Sequence, residues 1–314
     1  MNTASSTIPK KTSLWARLKK NYQKHYSLYW IALPVVLYYL IFKYIPMFGV
    51  VIAFQDYRPG LGIFGSKFVG FKHFIDFLTT PTASRTIVNT LRLSFCSLLF
   101  EFPMPIILAL LLNEIRFGPF KKTVQTLSYM PHFISTVVVC GMVKEFTLST
   151  GVVSDILAMF GVERQAMLGN VDLWVPIYII SGIWQNIGWG SILYLATLSS
   201  ADPNLYEAAV IDGAGRWKQM VYVTLPTLVP IIILQLIMRI GSLMSVGSEK
   251  TILLYTPLIY EKADIISSFV YRRGLQEMSF SFGSAVGLFN SAINLILLCS
   301  ANWFSRKVSG ESMW

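Results

Sequence analysis

The stretch EAAVIDGAGRWKQMVYVTLP, residues 207–226, is polar at its start and lies between two long apolar segments. Just before it, Asp202 is of a type that caps helices, and Pro203 suits the first helical position, where a missing N–H costs nothing. Gly213 can end a helix in the left-handed conformation. These residues predict a short helix over about 203–212. If the flanking segments cross a membrane, this helix offers a docking surface outside the bilayer.

The rest of the stretch fits that interpretation. Ala208 and Ala209 keep one side of the helix thin enough for close backbone approach, and Glu207 projects a charge. Arg216, Trp217 and Lys218 begin a second short amphipathic element. The pair Leu225-Pro226 is expected to open the next apolar segment.

Composition places the chain in a membrane. Of its 314 residues 54% are hydrophobic and 13% are charged, whereas charged residues make up about 25% of a soluble domain. The apolar residues fall in long blocks, which indicates an integral membrane protein. Cys96, Cys140 and Cys299 form no CxxC pair, and the three histidines form no HExxH motif. Neither a disulfide framework nor a metal site is expected.

The predicted fold is all-α, an integral membrane bundle of six transmembrane helices, with the loop helix between the fourth and the fifth. Each span reaches the roughly 20 residues that an apolar helix needs to cross the hydrocarbon. The third is the weakest, because Pro131, His132, Lys144 and Glu145 interrupt it. Prolines in the spans are expected to kink or bound the helices. The six spans are predicted at about 29–54, 87–112, 124–148, 173–198, 226–247 and 283–304.

The basic residues predict the orientation. If the basic tail 1–28 is cytoplasmic, six spans also place the loops 113–123 and 199–225 and the tail 306–314 inside. These segments carry 13 Lys and Arg against 5 Asp and Glu, whereas the outside segments carry 9 against 9. This asymmetry is the positive-inside pattern, and it explains the net charge of +10 without a nucleic-acid partner. Both termini are therefore expected in the cytoplasm, with the transmembrane domain at 29–305.

Two interpretations stay open for the N-terminal tail. Residues 14–26, LWARLKKNYQKHY, mix aromatic residues with lysines, as in a helix that lies flat on a membrane surface. The alternative is a disordered basic tail. A signal peptide is not indicated, because the apolar block runs on without a small-residue cleavage site.

Residues 207–226 resemble the EAA loop of the membrane subunits of bacterial ATP-binding-cassette (ABC) importers. That pattern is EAA, three residues, G, nine residues, I, one residue, LP. Every fixed position matches except the isoleucine, which is Val223 here. In that family the loop forms a coupling helix that enters a groove on a cytoplasmic ATPase. The resemblance implies this role for the coupling-loop residues Glu207, Ala208, Ala209, Asp212, Gly213, Leu225 and Pro226.

A second set of residues resembles the carbohydrate branch of these type I importers. Phe54-Gln55-Asp56-Tyr57, Val69-Gly70-Phe71 and Asn89-Thr90 look like the N-terminal half of its polysaccharide and oligosaccharide permeases. The resemblance implies a bacterial cytoplasmic (inner) membrane protein that works by alternating access. It implies four partners besides lipid: a second permease that is homologous but different, two cytoplasmic ATPases and an extracytoplasmic solute-binding protein. The outer segments at about 55–86 and 248–282 are expected to receive that binding protein.

The chain carries no phosphate loop of its own. In GLGIFGSK, residues 60–67, the glycine spacing fits, but Ser66 stands where the lysine is needed. The chain is therefore expected to be non-catalytic and to hold no cofactor, with ATP and magnesium on the partner ATPase.

Polar residues within the spans are candidates for substrate contact, because such groups are costly in a membrane. Span four contains Trp184, Gln185, Asn186 and Trp189, which offer the aromatic faces and amides that bind sugars. The alternative is that Gly188 and Gly190 are helix contacts and the tryptophans fill space. Arg239 needs a partner from another helix, a water-filled cavity or an anionic ligand. Asn290 and Asn294 share a face of span six and could equally join helices.

Three functions are compatible with these features of the sequence. The first is the permease subunit of an ATP-driven carbohydrate importer. An excess of two cations in the spans makes an acidic sugar, such as a uronate oligosaccharide, a hypothesis within it. The second is an ion-gradient-driven secondary transporter, which needs coupling carboxylates at depth, where only Glu101 and Glu145 qualify. The third is a non-transporting membrane scaffold.

Overall fold

A computed structural model describes residues 14–310 and 312–314, which are mostly helical. The α-helices of the first half are α1 Leu14–Tyr39, α2 Ile45–Met47, α3 Gly62–Gly65, α4 Lys72–Thr79, α5 Pro81–Cys96, α6 Pro103–Glu114, α7 Gly118–Tyr129, α8 Thr136–Phe146 and α9 Val152–Met159. Those of the second half are α10 Trp174–Ser199, α11 Pro203–Ile211, α12 Arg216–Gln219, α13 Leu225–Ile240, α14 Ser248–Leu254, α15 Tyr260–Ala263, α16 Ile266–Val270 and α17 Phe280–Ser309.

Shorter helical turns join these helices. The 3₁₀ turns are Phe48–Phe54, Met130–Phe133, Met167–Gly169, Leu243–Ser245 and Pro257–Ile259. The π-helical turns are Leu40–Tyr44, Ser97–Glu101, Met220–Thr224 and Tyr271–Gln276.

The all-α prediction has one exception. Strands β1 (Gln55–Asp56) and β2 (Lys67–Phe68) pair antiparallel, with Gln55 opposite Phe68. This two-stranded hairpin lies in a segment predicted to be outside the membrane. It arises where the turn at residues 58–62 reverses an extended chain.

Four described helices are long and apolar enough to cross a membrane. They agree in position with the predicted first, second, fifth and sixth spans, at Tyr22–Phe54, Pro81–Glu114, Arg216–Ile240 and Phe280–Ser309. The chain is thus a helical membrane protein with several apolar helices.

Three prolines, Pro46, Pro103 and Pro226, lie inside long apolar helices and do not bound them. A π-helical turn ends two residues before each of Pro46, Pro103 and Pro226. In each case the residue just before the proline donates its N–H to the carbonyl five positions back. The wider turn accommodates the missing N–H and the bulk of the ring. Pro226 therefore does not open span five, which runs without a break from Arg216.

The predicted third span is broken. Gly118–Phe133 and Thr136–Phe146 meet at a bend of 98°. Ser135 caps the second helix by accepting a hydrogen bond from Val138 N, at 3.4 Å. If the bent pair is one span, five helical segments pass the criteria of length and composition. The predicted fourth span is helix α10, which is long enough to cross a membrane. Its polar WQNIGWG stretch lowers its mean hydropathy, so it is not among the four apolar helices. The count of six stays a prediction.

The predicted N-terminal tail lies outside the described residues up to residue 13. From Leu14 the chain is helical, with a kink at His25, where φ is −128° and ψ is 27°. Most of the 14–26 stretch is thus helical, and its position on the membrane surface stays a prediction.

Helix α10 is the centre of the bundle. It packs against α6, α7 and α13, and its buried residues include Trp174, Tyr178 and Tyr194. A β-carbon at Gly188 would overlap the backbone of Ser128 in α7. The glycines of α10 are therefore close helix contacts, as one of the two interpretations of this stretch predicted.

Candidate functional site: a polar cavity and an exposed loop helix

A polar cavity lies along one side of α10. It consists of two adjoining spaces of about 640 and 660 Å³. Both are lined by Glu101, Gly182, Asn186, Arg239 and Ser242. The cavity thus joins the π-helical turn between α5 and α6, the middle of α10 and the end of α13. Polar groups from three helices face it in an otherwise apolar bundle.

Arg239 pairs with a residue of another helix and also lines the cavity. A partner from another helix and a water-filled cavity were two of the three possibilities predicted for it. Its Nη2 donates a hydrogen bond to Glu101 Oε2 at 2.9 Å and another to Ser97 Oγ. Ser97 Oγ in turn donates to Glu101 Oε2. Within the described residues, no protein acceptor meets the other guanidinium nitrogens of Arg239. Those nitrogens remain as donors for water or a ligand.

The predicted residues of α10 divide between two faces. Gln185 and Asn186 line the cavity, and Trp189 lines its second space. Trp184 points elsewhere, into an apolar hollow of about 350 Å³ beside α8. Residues 184 and 185 are one step apart on a helix, so they point about 100° apart. Trp184 therefore does not join the polar site.

Two side chains that sequence reasoning did not select belong to the site. The bend after α7 places His132 against Trp189, with the rings stacked at 4.6 Å and 5° apart. His132 Nδ1 lies 3.1 Å from Asn186 Oδ1. Phe133 meets Trp189 edge to face and is 74% exposed. The sequence feature that could have indicated His132 and Phe133 is Pro131, which interrupts the predicted third span at the position of the bend.

Lys250 is a third residue of the site that the sequence analysis did not select, and it carries a charge. It lies on α14, outside the predicted spans, and its side chain lines the first cavity. The residue is only 9% exposed. Its Nζ donates to the carbonyl oxygen of Tyr178 at 2.7 Å and lies 4.4 Å from the centre of that ring. In sequence it looked like one of several loop lysines, and only the fold of the outer segment brings it inside.

Asn290 does not line the cavity. Its Nδ2 lies 3.3 Å from Ser245 Oγ, and Asn294 bonds both the same hydroxyl and the backbone N–H of Met244. This arrangement favours the alternative in which the two asparagines join α17 to the end of span five.

The loop helix forms as local capping predicted. Helix α11 runs over Pro203–Ile211, and the Asp202 carboxylate accepts a hydrogen bond from Asn204 N at 2.9 Å. Gly213 follows it at φ +76°, a left-handed conformation that favours glycine. The helix is mostly exposed, with Glu207 and Ile211 both on its surface.

The remaining residues of the predicted coupling loop lie on the same segment. Ala208, Ala209 and Asp212 belong to α11 or follow it directly, whereas Leu225 and Pro226 lie within the next long helix. Tyr206 Oη lies 3.0 Å from Thr224 Oγ1 and fixes the loop helix to that long helix. No cluster of three or more metal-ligating side chains exists in the part of the chain that the structure describes. The absence of a cofactor remains an expectation.

Residues 102–310 match the family described as binding-protein-dependent transport system inner membrane component. This match covers more than half of the chain, including the loop helix and the cavity-lining residues of α10 and α13. The chain belongs to that family. It is thus a multi-pass inner-membrane protein and a non-catalytic permease subunit of an ABC importer, whose ATPase is a separate subunit.

Two Bacillus subtilis proteins are similar to this permease over most of both lengths. It is 44% identical to the polygalacturonan/rhamnogalacturonan transport system permease protein YteP, with all of both chains covered. It is 43% identical to the protein LplB, with 91% of each chain covered.

A solved bacterial ABC transporter, involved in the import of the acidic polysaccharide alginate, contains a similar chain. The identity is 43% and the TM-score 0.86, with 93% of this permease and 99% of that chain covered. A second structure of a bacterial alginate transporter, in complex with an alginate pentasaccharide-bound periplasmic protein, gives a TM-score of 0.87 at 43% identity and covers 95% and 100%. None of these comparisons supports an ion-gradient-driven transporter.

Proposed function

We propose that this permease carries an acidic oligosaccharide across the membrane through the cavity beside α10. The observation that carries the proposal is Arg239, a cation that Glu101 and Ser97 hold in place and that lines both spaces of the cavity. A guanidinium binds a carboxylate through paired hydrogen bonds. The rings of Phe133 and Trp189 offer apolar faces for sugar rings, one in each of the two adjoining spaces. The similarity to permeases named for polygalacturonan and alginate transport supports the same substrate class.

Competition for uptake tests the substrate class. Cells or proteoliposomes that hold the complete transporter would take up a labelled oligogalacturonide, and unlabelled competitors would be added in excess. We expect oligogalacturonides to compete and neutral oligosaccharides of similar length to leave uptake unchanged. Uptake of a neutral oligosaccharide that oligogalacturonides do not reduce would reject the acidic assignment.

We further propose that α11 is the coupling helix. It lies outside the bundle, it exposes Val210 and Ile211 at 61% and 85%, and the charged Glu207 is beside them. Exposed apolar side chains rimmed by polar ones are typical of a protein–protein contact. The partner that fits is a cytoplasmic ATPase, which supplies the ATP chemistry that this chain lacks.

Charge reversal tests the coupling role. We expect the variant Glu207→Lys to lose both the co-purified ATPase and transport. The matched control is Glu163→Lys, because Glu163 is an exposed acid in a different segment. If Glu207→Lys retains the ATPase and transports normally, α11 is not the coupling helix. Loss of the ATPase in both variants would instead show a general effect of the added charge.

The remaining partners follow from surfaces that the chain leaves open. The apolar part of the Tyr22–Phe54 helix buries none of its residues in the described part of the chain. A second permease is proposed to cover it and to close the open side of the cavity. The binding protein is proposed to dock on the segments at about 55–86 and 248–282, with both termini in the cytoplasm. Purification in mild detergent is expected to retain a second permease and two ATPases.

A further inference from the structure

Lys250 is a buried cation whose hydrogen-bonding capacity is only partly used. An ammonium group carries three N–H donors and no acceptor. In the described residues, Nζ has a single hydrogen-bond acceptor, the carbonyl oxygen of Tyr178 at 2.7 Å. Two donors therefore remain for groups in the cavity that Lys250 lines. A buried charge with open donors is costly unless water or a ligand meets it.

Glu101 lies near Lys250, but among the described residues it forms no hydrogen bond to it. A β-carbon at Gly182 would overlap Glu101 Oε1 and lie 3.2 Å from Lys250 Nζ, so both charged groups face the same point of α10. Glu101 bonds to Arg239 and Ser97 through Oε2, whereas the oxygen that lies toward Gly182 is Oε1. Among the described residues, no carboxylate lies within ion-pair distance of Lys250.

The cavity holds a second acid, Glu249, which precedes Lys250 on α14. Glu249 is exposed, so water screens its charge more than it screens the buried ammonium. Charges of both signs thus line the cavity in equal number, but their burial differs. Glu101 is paired with Arg239, whereas the buried ammonium of Lys250 keeps two open donors.

We propose that Lys250 is a specificity-determining residue that binds a carboxylate of the transported sugar. This inference rests on the proposed function, because it assigns a residue to the recognition of the acidic substrate. The sugar carboxylate accepts hydrogen bonds from the two open donors of Nζ. Arg239 lies on the other side of Glu101, so a chain of uronate units meets two cations at different points along α10.

The test separates binding of the carboxylate from a structural role. The complete transporter in proteoliposomes is given a short oligogalacturonide or its carboxyl-reduced counterpart, which has the same linkages without the charges. The variants are Lys250→Met, which removes charge and donors, and Lys250→Gln, which keeps a donor for the Tyr178 carbonyl. The control is Lys144→Met, because Lys144 is exposed and lines neither space of the cavity.

We expect both Lys250 variants to raise the half-saturating concentration of the oligogalacturonide by about tenfold or more, as for loss of a hydrogen bond to a charged group. The half-saturating concentration of the carboxyl-reduced counterpart, where it is transported, is expected to change little. The Lys144→Met control is expected to behave as wild type with both. Equal effects on the two sugars, or none on either, would overturn the inference.

If the Lys250 variants do not assemble into a complete transporter, the variant Glu249→Gln provides a second test. Glu249→Gln removes the acid at the cavity rim and leaves Lys250 in place. It is expected to lower the half-saturating concentration of the oligogalacturonide and leave that of the reduced sugar unchanged. The opposite change, or no change, would count against an anion site at α14. If the wild type transports neither sugar, it is the acidic substrate of the proposed function that fails.

Discussion

Arg239 and Glu101 form an ion pair across the bundle, with Nη2 2.9 Å from Oε2, although 138 residues separate them in sequence. Glu101 ends a π-helical turn between α5 and α6, and Arg239 lies near the end of α13. The Glu101 side chain is 18% exposed and that of Arg239 is 42% exposed. The pair therefore joins two long helices and orients the cation that faces the cavity.

Loss of Arg239 should destabilise the permease. In Arg239→Met the carboxylate of Glu101 keeps its buried position without a cation. We expect the free energy of unfolding to fall by about 2–3 kcal/mol. This is less than the usual loss for a fully buried pair, because Arg239 is partly exposed. The measurement is the thermal midpoint of the purified complex. The double variant Arg239→Met/Glu101→Gln, which removes the unpaired charge, should recover most of the loss; equal midpoints for the single and double variants would contradict this account.

Uptake of an acidic sugar should weaken as pH rises through about 8. Burial lowers the pKa of Lys250 to about 8 from 10.5, although Glu101 and Cys140 act in the opposite direction. The charged or titratable groups around it are Glu101, Cys140, Tyr178 and Glu249. The cation is present below that pH and is lost above it, whereas uronate carboxylates stay ionised. The half-saturating concentration is therefore expected to increase between about pH 7 and pH 9.

Lys250→Arg is the control for this pH dependence, because a guanidinium stays charged over the whole range. Its profile should be flat. A loss of stability would not explain weaker uptake at high pH. The pKa of Lys250 in the folded protein lies below its ordinary value, so the contribution of Lys250 to the free energy of unfolding rises with pH between about 8 and 10.5. A wild-type profile as flat as that of the arginine variant would show that the charge of Lys250 does not matter for uptake.

Adding a methyl group at Gly188 should disrupt the bundle. A β-carbon there would collide with the backbone of Ser128, which cannot move as a side-chain tip can. Overpacking of this kind costs about 1–3 kcal/mol. The matched control is Gly287→Ala on α17, where a β-carbon meets nothing within 4 Å. Expression level and thermal midpoint should fall for Gly188→Ala alone, and an unchanged midpoint would mean that α7 can shift away from α10.

The outer segment should depend on the ion pair between Asp264 and Arg272. Arg272 Nη2 lies 2.6 Å from Asp264 Oδ2, and Asp264 is fully buried. Asn89 Nδ2 donates to the backbone oxygen of Asp264 at 3.0 Å, which fixes the segment to α5. Arg272→Met leaves a buried carboxylate unpaired, so we expect a loss of about 3–5 kcal/mol in the free energy of unfolding.

Arg273→Met is the control for this prediction. Arg273 pairs with Glu277 at 2.8 Å, but both side chains are about half exposed. Surface pairs of this kind contribute about 0.2–1 kcal/mol. The thermal midpoint should therefore change little in Arg273→Met and strongly in Arg272→Met. Similar midpoints in the two variants would show that burial does not decide the strength of these pairs.

Local sequence determined the loop helix and most of the apolar helices. Asp202, Pro203 and Gly213 set the start and the end of α11 through hydrogen bonds and backbone preferences that reach only a few residues. Long apolar blocks set four of the membrane helices in the same way. The π-helical turns before Pro46, Pro103 and Pro226 were not predicted, because no single residue type indicates such a turn.

Only the tertiary structure decided which polar residues share the cavity. Arg239 meets Glu101, and Lys250 reaches Tyr178 across 72 residues, because packing of the helices brings distant segments together. The direction of each side chain on α10 separated Trp184 from Gln185, although both looked equally suitable in sequence. Capping and hydropathy act over one or two helical turns, whereas the partner of a buried charge is chosen by the packing of whole helices. The sequence by itself therefore determined the loop helix and four apolar helices of this permease, and the fold determined which residues form the candidate site.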